Sequence, residues 1–231
     1  LNNYNFQKDQ QLFDQANKCL TKFMEGKISK YNHTINSGRE NIYEKYCNNV
    51  SEKKCILVIG QVEEDASIKY GCEIEINNGA LVWKAKQDNP DAEIFFKPHP
   101  DVLHNKRKII TPLEEISKFA HIIDEDISIT ECLKNVDMVY TITSLSGFEA
   151  VLRDIPTVTL GCPFYSGWGL TKDLQKNERR KRKLSKIELF AGAYILYPNY
   201  FEPFTYKRTS LYSTLEYIEI SKKNKYITEK N

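Results

Sequence analysis

The segment Cys55-Ile-Leu-Val-Ile-Gly60 offers no polar side chain to turn towards water, so as a strand it is stable only when both of its faces are covered. That requirement excludes a half-exposed antiparallel sheet here and calls for helices on both sides. The flanking sequence provides them. Gly79 to Gln87 carries Leu81, Val82 and Ala85 at helical spacing after Asn77 and Asn78, and Asn89-Pro90 ends it. Further strands are expected at Ala92 to Lys97, His121 to Asp124, Val136 to Thr143 and Thr157 to Gly161. Between them, Ser128-Ile-Thr-Glu131 reads as a capping box opening a helix, and a second helix is expected from about Ser146 to Arg153. Strands alternating with helices imply an α/β fold: a doubly wound, Rossmann-like parallel sheet with flanking helices, which binds ligands beyond the carboxyl ends of its strands.

Outside that alternation, Leu12, Phe13, Ala16, Leu20, Phe23 and Met24 lie on one face of an amphipathic helix between Asp9 and Ile28. A polar loop from Lys30 to Asn41 comes next. Near the other end, helices are expected at about Ile187 to Leu196 and Ser210 to Ile220, with a frayed Lys-rich tail from Ser221.

Composition removes several functions. With 33 Lys and Arg against 31 Asp and Glu, the chain as a whole is not suited to coating nucleic acid. Six scattered cysteines form no CxxC pair and read as reduced thiols, and the four histidines form no HExxH, so no metal is expected. No run approaches the ~20 apolar residues of a membrane span, and no secretory signal is visible; the expected compartment is the cytoplasm. Neither GxxxxGK[ST] nor GxGxxG occurs, which disfavours a P-loop ATPase or an NAD enzyme.

The residues just beyond the ends of the strands make up the candidate site. The first strand delivers Gln61-Val-Glu-Glu-Asp65, where Glu63 and Asp65 are clustered carboxylates suited to nucleophilic or proton-transfer work and Gln61 can orient a sugar; a solvated acidic loop explains the same residues. The second ends in Lys97-Pro-His99-Pro100, where two prolines fix the backbone around His99, and Lys with His suits a phosphate or carboxylate. The fourth runs into Thr143-Ser144-Leu-Ser146-Gly147-Phe-Glu149. Capping explains one hydroxyl at a helix start, but three are present, where the dipole favours an anion, and Glu149 is placed in the first turn to accept from a ribose hydroxyl or complement the dipole.

These motifs, with Gly161-Cys-Pro-Phe-Tyr-Ser-Gly-Trp-Gly-Leu-Thr171 and Ser29-Lys-Tyr-Asn32, resemble in order and spacing the bacterial capsule-synthesis β-Kdo glycosyltransferases of the KpsC type. The resemblance implies a GT-B-like fold, CMP-Kdo as donor, no metal or other cofactor, and transfer with retention to a Kdo-bearing glycan or glycolipid acceptor. It makes Asp65 the nucleophile, with Gln61 and Glu63 at the sugar or assisting proton transfer. Lys97, His99, Pro100, Thr143, Ser144, Ser146, Gly147 and Glu149 then hold CMP. Residues 53–220 become the CMP-sugar-binding domain, residues 1–52 a helix and linker left from an acceptor domain, and residues 221–231 a flexible tail. Because a GT-B enzyme uses two Rossmann-like domains and this chain has one, it reads as a piece of a longer capsule-synthesis protein. Two other functions stay open: a non-catalytic CMP-sugar-binding module, and a transferase using CMP-sialic acid.

Lys172 to Lys186 holds eight basic and two acidic residues, leaving 25 basic and 29 acidic elsewhere. A solvated helix face accounts for this. With the family resemblance, so does an anionic inner-membrane surface or an acidic acceptor, whereas nucleic acid lacks the interleaved aromatics it would need.

Overall fold

A computed structural model describes residues 1–29, 41–47, 52–108 and 110–228. Residues 30–40, which include most of the expected polar loop and the end of the Ser29 to Asn32 segment, lie outside the described residues, as do residues 229–231 of the expected tail. The chain divides into two compact units, residues 33–183 and residues 1–32 with 184–231. The sequence suggests a first boundary at 52; packing draws it at 32 and again at 183.

The larger unit contains β1 (Cys55–Ile59), β2 (Glu93–Lys97), β3 (His121–Ile122), β4 (Met138–Thr141), β5 (Thr157–Thr159) and β6 (Lys172–Asp173). Helix α1 (Gln10–Glu25) belongs to the smaller unit. Around the sheet run α2 (Ala66–Gly71), α3 (Asn78–Asp88), α4 (Pro100–Leu103), α5 (Leu113–Ile116), α6 (Ile129–Cys132) and α7 (Leu145–Leu152). The strands form one parallel sheet in the order β3-β2-β1-β4-β5-β6, the Rossmann-like arrangement that the alternation predicts. All five residues of β1 are buried. Ile56 and Val58 join Leu81, Val82 and Phe96 on one side, while Cys55, Leu57 and Ile59 join Tyr43, Phe95, Cys132 and Ala150 on the other. Fully burying such side chains stabilises by roughly 1.5–3 kcal/mol each, which is why a strand without a polar face persists.

The helix starts follow from local chemistry. Asn77, not Asn78, caps α3 by accepting from Ala80 N, and Ser128 caps α6 by accepting from Glu131 N. The Glu131 carboxylate, expected to complete a capping box, accepts from Lys134 Nζ instead, at 2.8 and 2.9 Å. A full capping box forms at Ser185 and Glu188, where α8 (Lys186–Ala191) begins in the smaller unit. There α1 buries Leu12, Ala16, Cys19 and Phe23, with Phe23 against Phe190 and Tyr194. The last helix, α9 (Leu211–Thr228), continues through most of the segment read as a frayed tail.

The basic run is not a helix face. It contributes β6, and Arg180 turns inwards, its Nη1 donating to the carbonyls of Pro163 and Ser166 at 2.5 and 2.6 Å, with its guanidinium 5.8 Å from the Trp168 ring centroid. Asp173 adds a second brace by accepting from Gly167 N at 2.8 Å and Thr159 Oγ1 at 3.0 Å. These bonds hold Gly167 and Gly169 at φ of +75° and +84°, values that glycine adopts without a steric penalty.

Tyr165, in the same loop, donates to the Ser144 carbonyl and lies over Gly147, where an added Cβ would stand 2.2 Å from its hydroxyl oxygen. Gly147→Ala is therefore expected to cost about 1–3 kcal/mol in a urea denaturation series, and unchanged stability would show that α7 does not need this close approach.

Candidate active site

The sheet register builds the site. Ile59 at the end of β1 pairs with Lys97 of β2 on one side and Thr141 of β4 on the other, so the chain leaves these three strands from one row. Two residues beyond that row stand Gln61, His99 and Thr143. Three motifs far apart in sequence thereby converge beyond the carboxyl ends of neighbouring strands.

Polar contacts then fix the loops. The buried Gln61 amide donates from Nε2 to Thr143 Oγ1 at 3.0 Å and accepts at Oε1 from Thr143 N at 2.7 Å. Asn78 secures the Gln61 backbone from the other side, accepting from Gln61 N at 3.1 Å and donating to its carbonyl at 2.9 Å. Thr143 Oγ1 also donates to Ser67 Oγ at 3.2 Å, joining the start of α2 to the start of α7. Asp65, exposed, caps α2 by accepting from Ser67 N at 2.7 Å. The nucleophile candidate thus sits next to the Thr143 contact on a pinned backbone.

Glu63 is occupied. Its Oε1 accepts from Asn78 N at 2.7 Å and Thr111 Oγ1 at 2.5 Å, and its Oε2 accepts from Ile110 N at 3.1 Å and Thr111 N at 2.9 Å. Expected at the sugar, this carboxylate ties the β1 loop to α3 and to the segment before α5. Gln61 is likewise a brace, because its amide is spent on Thr143.

His99 caps α4, its Nδ1 accepting from Asp101 N at 3.1 Å, and Pro100 occupies the first helical position, where a missing N–H costs nothing. A neutral ring whose Nδ1 accepts carries its proton on Nε2, which makes that atom a donor suited to an oxyanion. Lys97, the last residue of β2, shares a strand face with Phe95 and is only 5 % exposed, and among the described residues its Nζ is buried without a hydrogen bond. The amine electrostatically favours the thiolate of Cys132, although burial dominates and pushes that thiol up to about 11.

At α7, Ser144 accepts from Ser146 N at 3.2 Å and is the cap, while Thr143 is committed to Gln61 and Ser67. Among the described residues Ser146 Oγ has no hydrogen bond, so it is the hydroxyl of the three left to meet a ligand. Gly147 serves the approach of Tyr165 rather than an anion. Glu149 lies beyond the first turn, 2 % exposed, with Oε2 3.7 Å from Arg153 Nη1; burial lowers the Arg153 pKa, and Glu149 opposes that shift. Sequence reasoning missed Asn78 and Thr111 as braces. Asn78 was visible only as a cap, and nothing near Thr111 marks it.

All four partners of Glu63 donate to it, so in Glu63→Gln one amide N–H₂ must face a donor. The expected loss is about 2 kcal/mol in urea denaturation; a variant with unchanged stability would show that this carboxylate is not a brace.

A β-Kdo 2,4 transferase, KpsC of Thermosulfurimonas dismutans, superposes with a TM-score of 0.77 at 32% identity over 90% of this chain and 63% of its own. The β-Kdo 2,7 transferase of the same KpsC gives 0.73 at 32% identity, covering 96% and 64%. The lipopolysaccharide-processing protein LpsZ of Rhizobium meliloti is 42% identical over 82% of this chain and 42% of its own length. The capsule polysaccharide modification protein LipA of Neisseria meningitidis serogroup B is 40% identical over 97% and 30%. The chain therefore spans less than half the length of these two curated relatives. The model of the family described as capsule polysaccharide biosynthesis protein matches residues 3–208, and the chain belongs to that family.

Proposed function

We propose that the chain is the donor-binding and catalytic part of a β-Kdo glycosyltransferase that uses CMP-Kdo and retains anomeric configuration during capsular polysaccharide synthesis. The observation that carries this reading is the row Lys97-Ile59-Thr141, beyond which His99, the Asp65 loop and the α7 start meet, in a chain 32% identical to two Kdo transferase structures.

In the proposed reaction the Asp65 carboxylate attacks the anomeric carbon as the bond to the CMP phosphate breaks, giving a glycosyl-enzyme ester. An acceptor hydroxyl then displaces Asp65 and loses its proton, and two inversions leave the configuration retained. His99 donates from Nε2 to the departing phosphate, with the Ser146 hydroxyl as a further donor. Fixed donors of this kind meet developing charge without reorganising, so the step needs no cofactor. Gln61 and Glu63 hold the loop that carries Asp65.

Lys97 gains a purpose in the same scheme. A buried ammonium without a partner is costly, and a bound phosphate supplies the missing counter-charge. Pro100 presents His99 through the backbone.

The share of the curated relatives' length that is spanned favours a second reading, a binding module that acts only within a longer protein. Supplying the chain with CMP-Kdo and a Kdo-terminated acceptor separates the two, because product formed by this chain alone excludes the module. Asp65→Ala is expected to lower transfer by more than a thousandfold with CMP affinity unchanged, and full turnover would reject Asp65 as nucleophile. Lys97→Met is expected to raise the Tm of the ligand-free protein and weaken CMP binding; equal CMP affinity would remove Lys97 from the phosphate.

No helix among the described residues is long and apolar enough to cross a membrane. Any association of Lys172 to Lys186 with an anionic inner-membrane surface rests on the cations other than Arg180, which is committed to Pro163 and Ser166.

A further inference from the structure

Immediately after His99 the chain borders an open cavity of about 520 Å³, lined by Pro98, Val102 and Leu113 and by three consecutive exposed cations, Lys106, Arg107 and Lys108. The loop carrying them is fixed. Asp101 O accepts from Lys106 N at 2.8 Å and Arg107 N at 3.0 Å, Asn105 turns the chain at φ +56°, and His104 Nε2 lies 3.0 Å from Asp126 Oδ2. Among the described residues none of the three cations forms an ion pair, and one carboxylate, Glu114, shares the lining. Three neighbouring positive charges facing one cavity repel each other and are relieved by an anion.

The size and lining decide which anion. A cavity of this volume falls in the ~300–1,000 Å³ range of small-molecule sites and exceeds what one inorganic phosphate fills. Among the described residues no aromatic side chain lines it, so none of them offers a nucleobase a ring to stack on. A sugar acid fits both facts, with its carboxylate on the cations and its ring carbons over Pro98, Val102 and Leu113.

We infer that Lys106, Arg107 and Lys108 form a subsite for the carboxylate of an acidic sugar, separate from the phosphate site at His99 and α7. The inference deepens the transferase reading and rests on it for the identity of the sugar. It places the acidic-acceptor contact at a cationic loop other than Lys172 to Lys186.

Calorimetric titration of the full chain with free Kdo, Kdo methyl ester, inorganic phosphate and CMP tests it, in the wild type, in Lys106→Ala/Arg107→Ala/Lys108→Ala, and in the exposed control Lys118→Ala. Kdo affinity is expected to fall roughly tenfold in the triple variant and not in Lys118→Ala, with the ester binding weakly to both and CMP unaffected. Equal Kdo affinity in wild type and triple variant, or no Kdo binding to the wild type, overturns the subsite. Phosphate matching Kdo in affinity overturns its assignment to a sugar acid, and loss of CMP together with Kdo merges the cavity with the donor site. If the wild type binds Kdo through the three cations but does not bind CMP, the donor reading fails and the subsite stands.

Discussion

The clasp between the Gln61 amide and Thr143 is the interaction on which the site depends. A parallel sheet delivers loops to one edge but leaves them free to diverge, and in this chain a buried amide locks two of them together at 2.7 and 3.0 Å. Asn78 holds the clasp to α3, and Glu63 holds the next turn to Thr111. Asp65 is an exposed carboxylate on a short helix, and such a group is a precise nucleophile only if its backbone cannot drift. The polar network behind it provides that rigidity.

The same arrangement divides residues that look alike in sequence. Glu63 and Asp65 are two carboxylates in one acidic run, yet four hydrogen bonds commit the first to other segments while the second, exposed, caps its own helix α2. Lys97 and His99 are neighbours in one motif, yet the amine is buried without a hydrogen bond among the described residues while the imidazole caps α4. Of the hydroxyls at Thr143, Ser144 and Ser146, two are used internally.

The fold was legible because its causes are local and periodic. Continuous apolar runs mark buried strands, and Ser128 and Asn77 mark helix starts, so the five expected strands and their order of alternation match β1 to β5. What escaped has non-local causes. β6 is two residues long and lies inside a charged run, where no hydrophobic period exists to be read. Arg180 reads as one cation among eight, and only the folded Gly161 to Thr171 loop shows that it braces carbonyls. The motifs located the site, but the roles of Gln61 and Glu63 depend on partners up to 82 residues away, which spacing does not encode.

The central claim is that this pinned loop presents Asp65 to a sugar as a nucleophile. Intact-mass and peptide-mass spectrometry after brief exposure to CMP-Kdo without acceptor tests it directly. The account predicts an adduct of one Kdo residue on the peptide containing Asp65, released when acceptor is added. Release of CMP into product with no protein adduct at any time, or an adduct on another residue, would contradict it.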